Sequence, residues 1–300
     1  MVSWLVLTII ATIWLVTGLP LLTAWPRLKH TSLRFALMWS WGAWFWGLVV
    51  IGLYVVEQPL APLVYLFLVL CCGVLVAPLG AKEPGAGAWN FVVLGLLAVL
   101  AMPILEQPWH AVVWSVDGPR SLFLLLIIIV GSLNYLPTCY GWSTFLVAGT
   151  MSLILHQLQS DGYKLEHHGF LTIVFVGISA AIWMANGLSR TRSTNRAANP
   201  YDANLSQTWQ DFRNRFGMVW GLRVMEQFNR SAANQKLSIQ LGWFGPIDEC
   251  QETTPKDLTS AHELLLQVVN RFHIQKRESD NNQRGSVTAE LNSNSRKSNG

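Results

Sequence analysis

Four histidines are the residues of this chain whose type and spacing could do chemistry. His156 closes one apolar stretch, His167 and His168 open the next, and His110 lies in an earlier connection. Neutral imidazole is the commonest metal ligand, and histidines that face each other across helix ends can also ligate haem iron. We therefore treat His110, His156, His167 and His168 as a candidate metal or haem cluster, for which the sequence specifies no cofactor.

The same cluster has two other interpretations, a pH-responsive or substrate-contacting site and ordinary polar residues at the level of the lipid headgroups. Its spacing matches no defined zinc motif, and neither HExxH nor CxxC occurs in the chain. Nucleophile, phosphate-binding and kinase signatures are missing as well. The sequence thus favours a protein that is not an enzyme and leaves that question open.

The elements that must position these histidines are dominated by apolar side chains. Of the 300 residues, 51% are hydrophobic and only 13% are charged, and 15 are tryptophan. Residues 1–190 hold 13 of the charged residues, whereas residues 191–300 hold 25. Such a composition excludes a soluble enzyme, a secreted disulfide scaffold and a fully disordered protein for the first part of the chain.

The apolar residues form long runs separated by proline and glycine. A helix needs about 20 apolar residues to cross the roughly 30 Å hydrocarbon core of a bilayer. Seven stretches qualify or nearly do, at residues 2–24, 33–56, 60–79, 88–105, 121–136, 141–155 and 169–188. The runs lack the alternation of barrel strands, so we predict an α-helical polytopic membrane domain over residues 1–190 with about seven transmembrane helices.

Basic residues collect in alternate connections between these segments. One set of connections holds Arg27, Lys29, Arg34, Lys82, Arg190, Arg192 and Arg196, and the other holds only Arg120 and Lys164. Positively charged short loops stay in the cytoplasm. The amino terminus is therefore predicted outside and the carboxyl terminus in the cytoplasm of a bacterial-type inner (plasma) membrane. The first segment is predicted to be a retained anchor, since no basic residue precedes it.

The predicted spans carry no central Asp, Glu, Lys or Arg. Buried ionisable groups mark proton and ion pathways, so their lack argues against a proton pump or a voltage sensor. A transporter of a neutral or apolar solute stays possible. Small residues occur in both of the last two segments and predict that these helices pack closely together. They are Gly177, Ala181 and Ala185 at four-residue steps in 169–188, and Ala148, Gly149 and Ser152 in 141–155.

Residues 191–277 are predicted to form a small cytoplasmic α+β module. Aromatic residues at three- and four-residue steps indicate an amphipathic helix from Ala203 to Asn234. The alternation from Leu237 to Trp243 is typical of a strand that Gly245-Pro246 ends. Ser260 and Glu263 stand at capping-box spacing and predict a second helix to about Lys276. Residues 278–300, which are almost free of apolar side chains, are predicted to be disordered.

A single strand leaves backbone groups unpaired. We therefore expect the strand Leu237–Trp243 to pair with a second copy of the chain, with a partner protein or with a strand that the pattern does not reveal. The basic excess after residue 190 is too small and too interspersed for nucleic-acid binding, and the lipid bilayer is the other expected partner. These features favour a structural, assembly or partner-recruiting membrane component. The alternatives are the transporter and a haem- or metal-dependent redox component built on the histidines.

Overall fold

The computed structural model describes residues 2–54, 61–80, 86–106, 116–159, 168–194, 202–248 and 255–272. His110, His167 and the predicted disordered segment 278–300 lie outside the described residues. In the first two thirds of the chain the described helices are α1 (Val2–Val16), α2 (Gly18–Leu28), α3 (Arg34–Tyr54), α4 (Ala61–Val76), α5 (Ala86–Glu106), α6 (Gly118–Tyr135), α7 (Gly141–Gln159) and α8 (His168–Thr194). A 3-10 turn, Ala77–Gly80, follows α4.

Six helical segments in the described part of the chain are long and apolar enough to cross a membrane. They are Leu5–Pro26, Arg34–Tyr54, Ala61–Gly80, Gly87–Glu106, Gly118–Tyr135 and Gly169–Ser189. Each matches one of the predicted segments, so the prediction of a helical, membrane-embedded chain is confirmed. The remaining predicted segment, 141–155, is α7, whose 19 residues are sufficient in length. Polar residues, among them Ser143, Thr150 and His156, make it less apolar than the other six.

Helix α4 is the centre of the bundle formed by α1 to α8. It packs against α3, α5, α6 and α7, and most of its residues are buried. Large apolar side chains point outward from the bundle instead, among them Leu105 at 81% exposure, Phe91 at 76% and Trp142 at 74%. An apolar exterior around an apolar core suits a lipid solvent and would be unfavourable in water.

Tryptophans inside the bundle form hydrogen bonds with neighbouring helices. The indole of Trp14 donates to the Trp44 carbonyl at 2.9 Å, and the indole of Trp44 donates to the Trp14 carbonyl at 3.1 Å. Glycine makes room for both rings, because a Cβ on Gly18 would lie 2.9 Å from the Trp44 ring and one on Gly47 would lie 2.6 Å from the Trp14 ring. These tryptophans therefore join the first span to α3 by packing and by hydrogen bonds that lipid cannot supply.

The elements of residues 202–272 surround a second hydrophobic core, and we name them the C-terminal lobe. They are α9 (Asp202–Asn234), β1 (Ile239–Leu241), β2 (Pro246–Asp248), α10 (Pro255–Val269) and a 3-10 turn (Asn270–Phe272). Helices α9 and α10 pack together around buried aromatic residues, which include Trp209, Phe212, Phe216, Phe228 and Phe272. The spacing of the aromatic residues predicted a helix from Ala203 to Asn234, which agrees with α9 to within one residue.

The predicted strand has its partner within the chain. Strand β1 pairs antiparallel with β2, with Gln240 opposite Ile247. Gly245-Pro246, predicted to end the strand, instead leads directly into β2. On α9, the side chain of Asn229 accepts a hydrogen bond from the Leu241 amide at 2.6 Å and donates one to the Leu241 carbonyl at 3.0 Å. Both backbone groups of Leu241 are therefore satisfied by a side chain of the same chain.

The start predicted for the last helix was wrong. Helix α10 begins at Pro255, so Ser260 and Glu263 lie within it and do not form its cap. Proline is favoured at the first position of a helix, where its fixed φ suits the turn and its missing N–H would have no helical partner. That local preference places the helix start five residues before the capping-box spacing does.

Candidate functional site

The structure describes only part of the candidate histidine cluster. His156 lies on α7 and is exposed, and His168 is the first residue of α8, whose backbone alone is described there. His110 and His167 lie outside the described residues. Among the described residues no group of three or more His, Cys, Asp or Glu is arranged to hold a metal ion. A metal or haem role for the four histidines therefore stays a prediction.

The two helices that carry His156 and His168 do pack against each other, as their small residues predict. A Cβ on Gly177 of α8 would lie 2.7 Å from the hydroxyl oxygen of Thr150 on α7, so only glycine permits this approach. The hydroxyl of Thr150 itself donates to the Leu146 carbonyl. The close contact of α7 and α8 confirms the predicted helix pair.

A polar seam joins the bundle to the C-terminal lobe, and it is centred on a break in α9. Gly217 has φ 77° and ψ −168°, which interrupts the helix within its fifth turn. A Cβ there would lie 2.4 Å from the amide nitrogen of Asn134, at the end of α6. This backbone conformation is nearly exclusive to glycine. The break and the close approach of α6 thus both require Gly217.

Two consecutive residues of α6 take over the hydrogen bonds that the break disrupts. In an unbroken helix the amide of Val219 would donate to the carbonyl of Arg215. Here the Val219 amide donates to Oδ1 of Asn134 at 2.9 Å, and the Arg215 carbonyl accepts from the Tyr135 hydroxyl at 3.1 Å. Asn134 is 1% exposed, and its amide nitrogen also lies 3.5 Å from the Phe216 carbonyl. The bundle therefore completes the turn that α9 leaves open.

A second group of contacts surrounds Trp243, between the two strands. Its carbonyl accepts hydrogen bonds from the indole of Trp209 at 3.1 Å and from Nη1 of Arg213 at 2.6 Å. The buried guanidinium of Arg213 also lies 5.2 Å from the centre of the Trp243 ring, at the distance of a cation–π contact. Through its own indole nitrogen Trp243 donates to the Pro137 carbonyl at 3.2 Å. The hairpin is thus fixed both to α9 and to the connection after α6.

Three connections of the bundle meet the lobe along this seam. The Trp220 indole donates to the Pro78 carbonyl at 3.1 Å, and the Ser32 amide donates to the Phe272 carbonyl at 3.4 Å. The third connection is 136–140, where the Cys139 amide donates to Oδ1 of Asn214 at 3.3 Å. The ends of the first, third and fifth spans therefore lie on one face of the bundle, which is the face that the lobe covers.

The opposite end of α6 carries a different kind of contact. Nη1 of Arg120 lies 2.8 Å from Oε2 of Glu106, and Nη2 donates to Oε1 of the same carboxylate at 3.1 Å. Asp117 lies 3.5 Å from the same guanidinium. These partly exposed ion pairs join the end of α5 to the start of α6. Exposed ion pairs of this kind contribute little to stability.

The seam is suited to positioning, because its amides, hydroxyls, indoles and one guanidinium form hydrogen bonds between the lobe and the bundle or within the lobe. Sequence reasoning missed Asn134 because its position near a helix end looked ordinary. A polar amide side chain close to the end of an apolar span was the signal in the sequence that could have identified it. The chain matches no protein-family model, and no curated protein and no solved structure matches it.

Proposed function

We propose that this chain is a structural or assembly component of a membrane, whose bundle holds the C-terminal lobe in a fixed orientation for recruitment of a partner protein. The observation that carries the proposal is the completion of the broken turn of α9 by Asn134 and Tyr135. A lobe that is merely tethered does not need a helix whose backbone groups are satisfied by the membrane domain. The seam therefore supports a role in which the relative placement of bundle and lobe matters.

In this proposal α7 also crosses the bilayer, which gives seven transmembrane helices. Helix α7 packs against α4, α6 and α8, as a member of the bundle does. The lobe then lies in the cytoplasm as an α+β module and the amino terminus lies outside, in an inner membrane of bacterial type. Exposed Lys29 and Arg34 at the seam end support this orientation.

The exposed side of α9 offers the partner a surface of charged and apolar side chains. Arg223, Glu226 and Arg230 are exposed there, with an ion pair of 2.9 Å between Glu226 and Arg230. Leu222 beside them is 45% exposed. Recruitment of a partner or a second copy through the strand Leu237–Trp243 would have to displace Asn229 from Leu241. We therefore place the partner contact on α9.

Affinity purification of the full chain in mild detergent, with quantitative identification of copurifying proteins, tests this function. The variants are Arg223→Glu on the exposed side of α9 and Asn134→Ala at the seam, and the matched control is Asn234→Ala, at an exposed position of the lobe. We expect one protein to copurify with the wild type and with the control and to be depleted with both test variants. Equal recovery of every copurifying protein from all four chains would contradict the proposal.

The packing of α7 on α8 favours a second candidate, the haem- or metal-binding component. These helices carry His156 and His168, so the two histidines belong to neighbouring elements of the bundle. An optical spectrum and a metal analysis of the purified protein test this candidate, with the double variant His156→Ala and His168→Ala as the comparison. A bound haem or metal that the double variant loses would establish the site, and a cofactor-free wild type would eliminate it.

A further inference from the structure

The tip of the hairpin between β1 and β2 is apolar and exposed. Gly242 and Gly245 close a two-residue turn through a hydrogen bond of 2.8 Å between the Gly242 amide and the Gly245 carbonyl, so Trp243 and Phe244 form its tip. Phe244 is 85% exposed, the highest value among the large apolar side chains that the structure describes. A single exposed apolar side chain is common on proteins, whereas a group of them marks a surface that contacts another apolar medium.

A second exposed apolar side chain flanks the tip. Ile247 on β2 is 56% exposed, and its Cδ1 lies so close to Gly242 that a Cβ there would be 2.6 Å away. The side chain of Ile247 therefore leans toward the same end of the hairpin as Phe244. The absence of a side chain at Gly242 makes room for this arrangement. Together Phe244 and Ile247 form an apolar tip on the lobe.

Trp243, the other residue of the tip, connects the tip to the end of a membrane span. The Trp243 indole bonds to the carbonyl of Pro137, two residues beyond the end of the span Gly118–Tyr135. Phe244 is therefore the chain neighbour of a residue whose side chain contacts the end of a membrane span. Trp142 begins the next helix at this end and is 74% exposed, as expected for an aromatic side chain at the headgroup level.

The contacts behind the tip hold it in this position. Trp209 and Arg213 both donate to the carbonyl of Trp243, and a Cβ on Gly221 would lie 2.9 Å from its ring. The turn is therefore held from the α9 side by two hydrogen bonds and by close packing. A tip fixed in this way presents Phe244 at a constant height and does not need to fold on contact.

We propose that the hairpin tip inserts Phe244 and Ile247 into the adjacent leaflet, so that the C-terminal lobe binds the lipid surface as well as the bundle. The occupant is the bilayer because the tip contacts the connection directly after a membrane span, and the helix that follows this connection begins with the exposed aromatic residues Trp142 and Phe145. The anchor is independent of which side of the membrane the lobe occupies. It gives the lobe a second attachment that lateral pressure and lipid composition can act on.

Site-directed spin labelling of the full chain in nanodiscs of phosphatidylcholine and phosphatidylglycerol tests the anchor. Cys71, Cys72, Cys139 and Cys250 are first replaced by alanine, and single cysteines are then introduced by Phe244→Cys or Ile247→Cys. Leu126→Cys on the lipid-facing side of α6 is the lipid reference, and Asn234→Cys at the end of α9 is the water reference. Unchanged thermal unfolding of each unlabelled variant shows that the fold is retained.

We expect the ratio of collision rates with oxygen and with a water-soluble nickel chelate to be severalfold higher at positions 244 and 247 than at 234, and to approach that at 126. A ratio at 244 equal to that at 234 would overturn the proposal. Spectral broadening at 244 that disappears on dilution with unlabelled chain would also overturn it, because a second copy would then cover the tip. Protection from both reagents, as under a bound protein, would do the same.

Discussion

The amide of Val219 and the side-chain oxygen of Asn134 are 2.9 Å apart, although 85 residues separate them in the chain. Asn134 thereby occupies the place that the carbonyl of Arg215 would have in an unbroken helix. The neighbouring Tyr135 bonds to that carbonyl in turn. A defect in a helix of the lobe and two polar residues at the end of a membrane span therefore form one structural unit.

Replacing Asn134 by alanine should loosen the lobe from the bundle. The substitution removes the acceptor for the Val219 amide, and a buried donor without a partner costs about 1–3 kcal/mol. We expect a loss of that size in the free energy of unfolding measured by detergent titration, and faster tryptic cleavage after exposed Arg223. Asn234→Ala, at the exposed end of α9, should change neither quantity. Identical unfolding of the two variants would show that this contact does not hold the lobe.

Gly217→Ala should be at least as harmful, for a reason that lies in the backbone. At φ 77° and ψ −168° an alanine is strained by about 1–3 kcal/mol, and its Cβ would overlap the Asn134 amide. We expect lower thermal stability in mild detergent. Gly149→Ala in α7 is the matched control, because nothing lies within 4 Å of a Cβ there. An equal melting temperature for both variants would argue against the glycine requirement.

Helix α9 shows which structural features the local sequence can predict and which it cannot. The aromatic spacing that defines Asp202–Asn234 is local, so the pattern predicted both ends of the helix. The break at Gly217 depends on Asn134, which is remote in sequence, and one glycine in a helical pattern is no signal by itself. Strand β2 has only three residues, too few for alternation to show. The remote contacts of the seam escaped prediction for the same reason, although Asn134 and Trp243 were visible as residue types.

The packing of Trp14 of α1 against α3 predicts that no side chain larger than that of glycine fits at Gly47. A Cβ at that position would lie between 2.6 and 2.8 Å from three atoms of the Trp14 ring, so Gly47→Ala should overpack the contact by about 1–3 kcal/mol. Gly52→Ala on the same helix meets nothing within 4 Å and should be neutral. Unfolding of both variants in the same detergent gives the comparison, and equal stability would contradict the packing.

A double variant, in which a smaller ring at position 14 compensates for the added methyl group at position 47, distinguishes this steric effect from a general defect in α3. Trp14→Phe removes ring atoms nearest to Gly47 and also removes the indole donor to the Trp44 carbonyl. Each single variant should therefore be destabilised, but the double variant should lose less stability than the sum of the two. Residues in contact show such coupling, whereas distant ones are additive. Strict additivity would mean that the alanine acts somewhere other than on the Trp14 ring.

The proposed orientation predicts which cysteines an impermeant maleimide can reach in intact cells. In a chain without its native cysteines, Asp117→Cys should react from outside, whereas Lys29→Cys and Arg271→Cys should react only after lysis. All three positions are exposed in the structure. Reaction of Lys29→Cys and Arg271→Cys in different compartments would contradict the seam, since Ser32 bonds to Phe272. A uniform reversal would invert the orientation and leave the seam intact.

A cysteine between α7 and α8 decides whether α7 crosses the bilayer. Helix α7 starts at the seam, where the Cys139 amide bonds to Asn214, and seven residues separate the end of α8 at Thr194 from the start of α9 at Asp202. Seven residues are too few to cross the bilayer, since a helix needs about 20 residues for one crossing. In the proposed arrangement α8 therefore ends on the side of the lobe and starts on the other side, and α7 crosses the bilayer. Asp161→Cys should accordingly be labelled in intact cells together with Asp117→Cys, and labelling with Lys29→Cys instead would reduce the number of crossings to six.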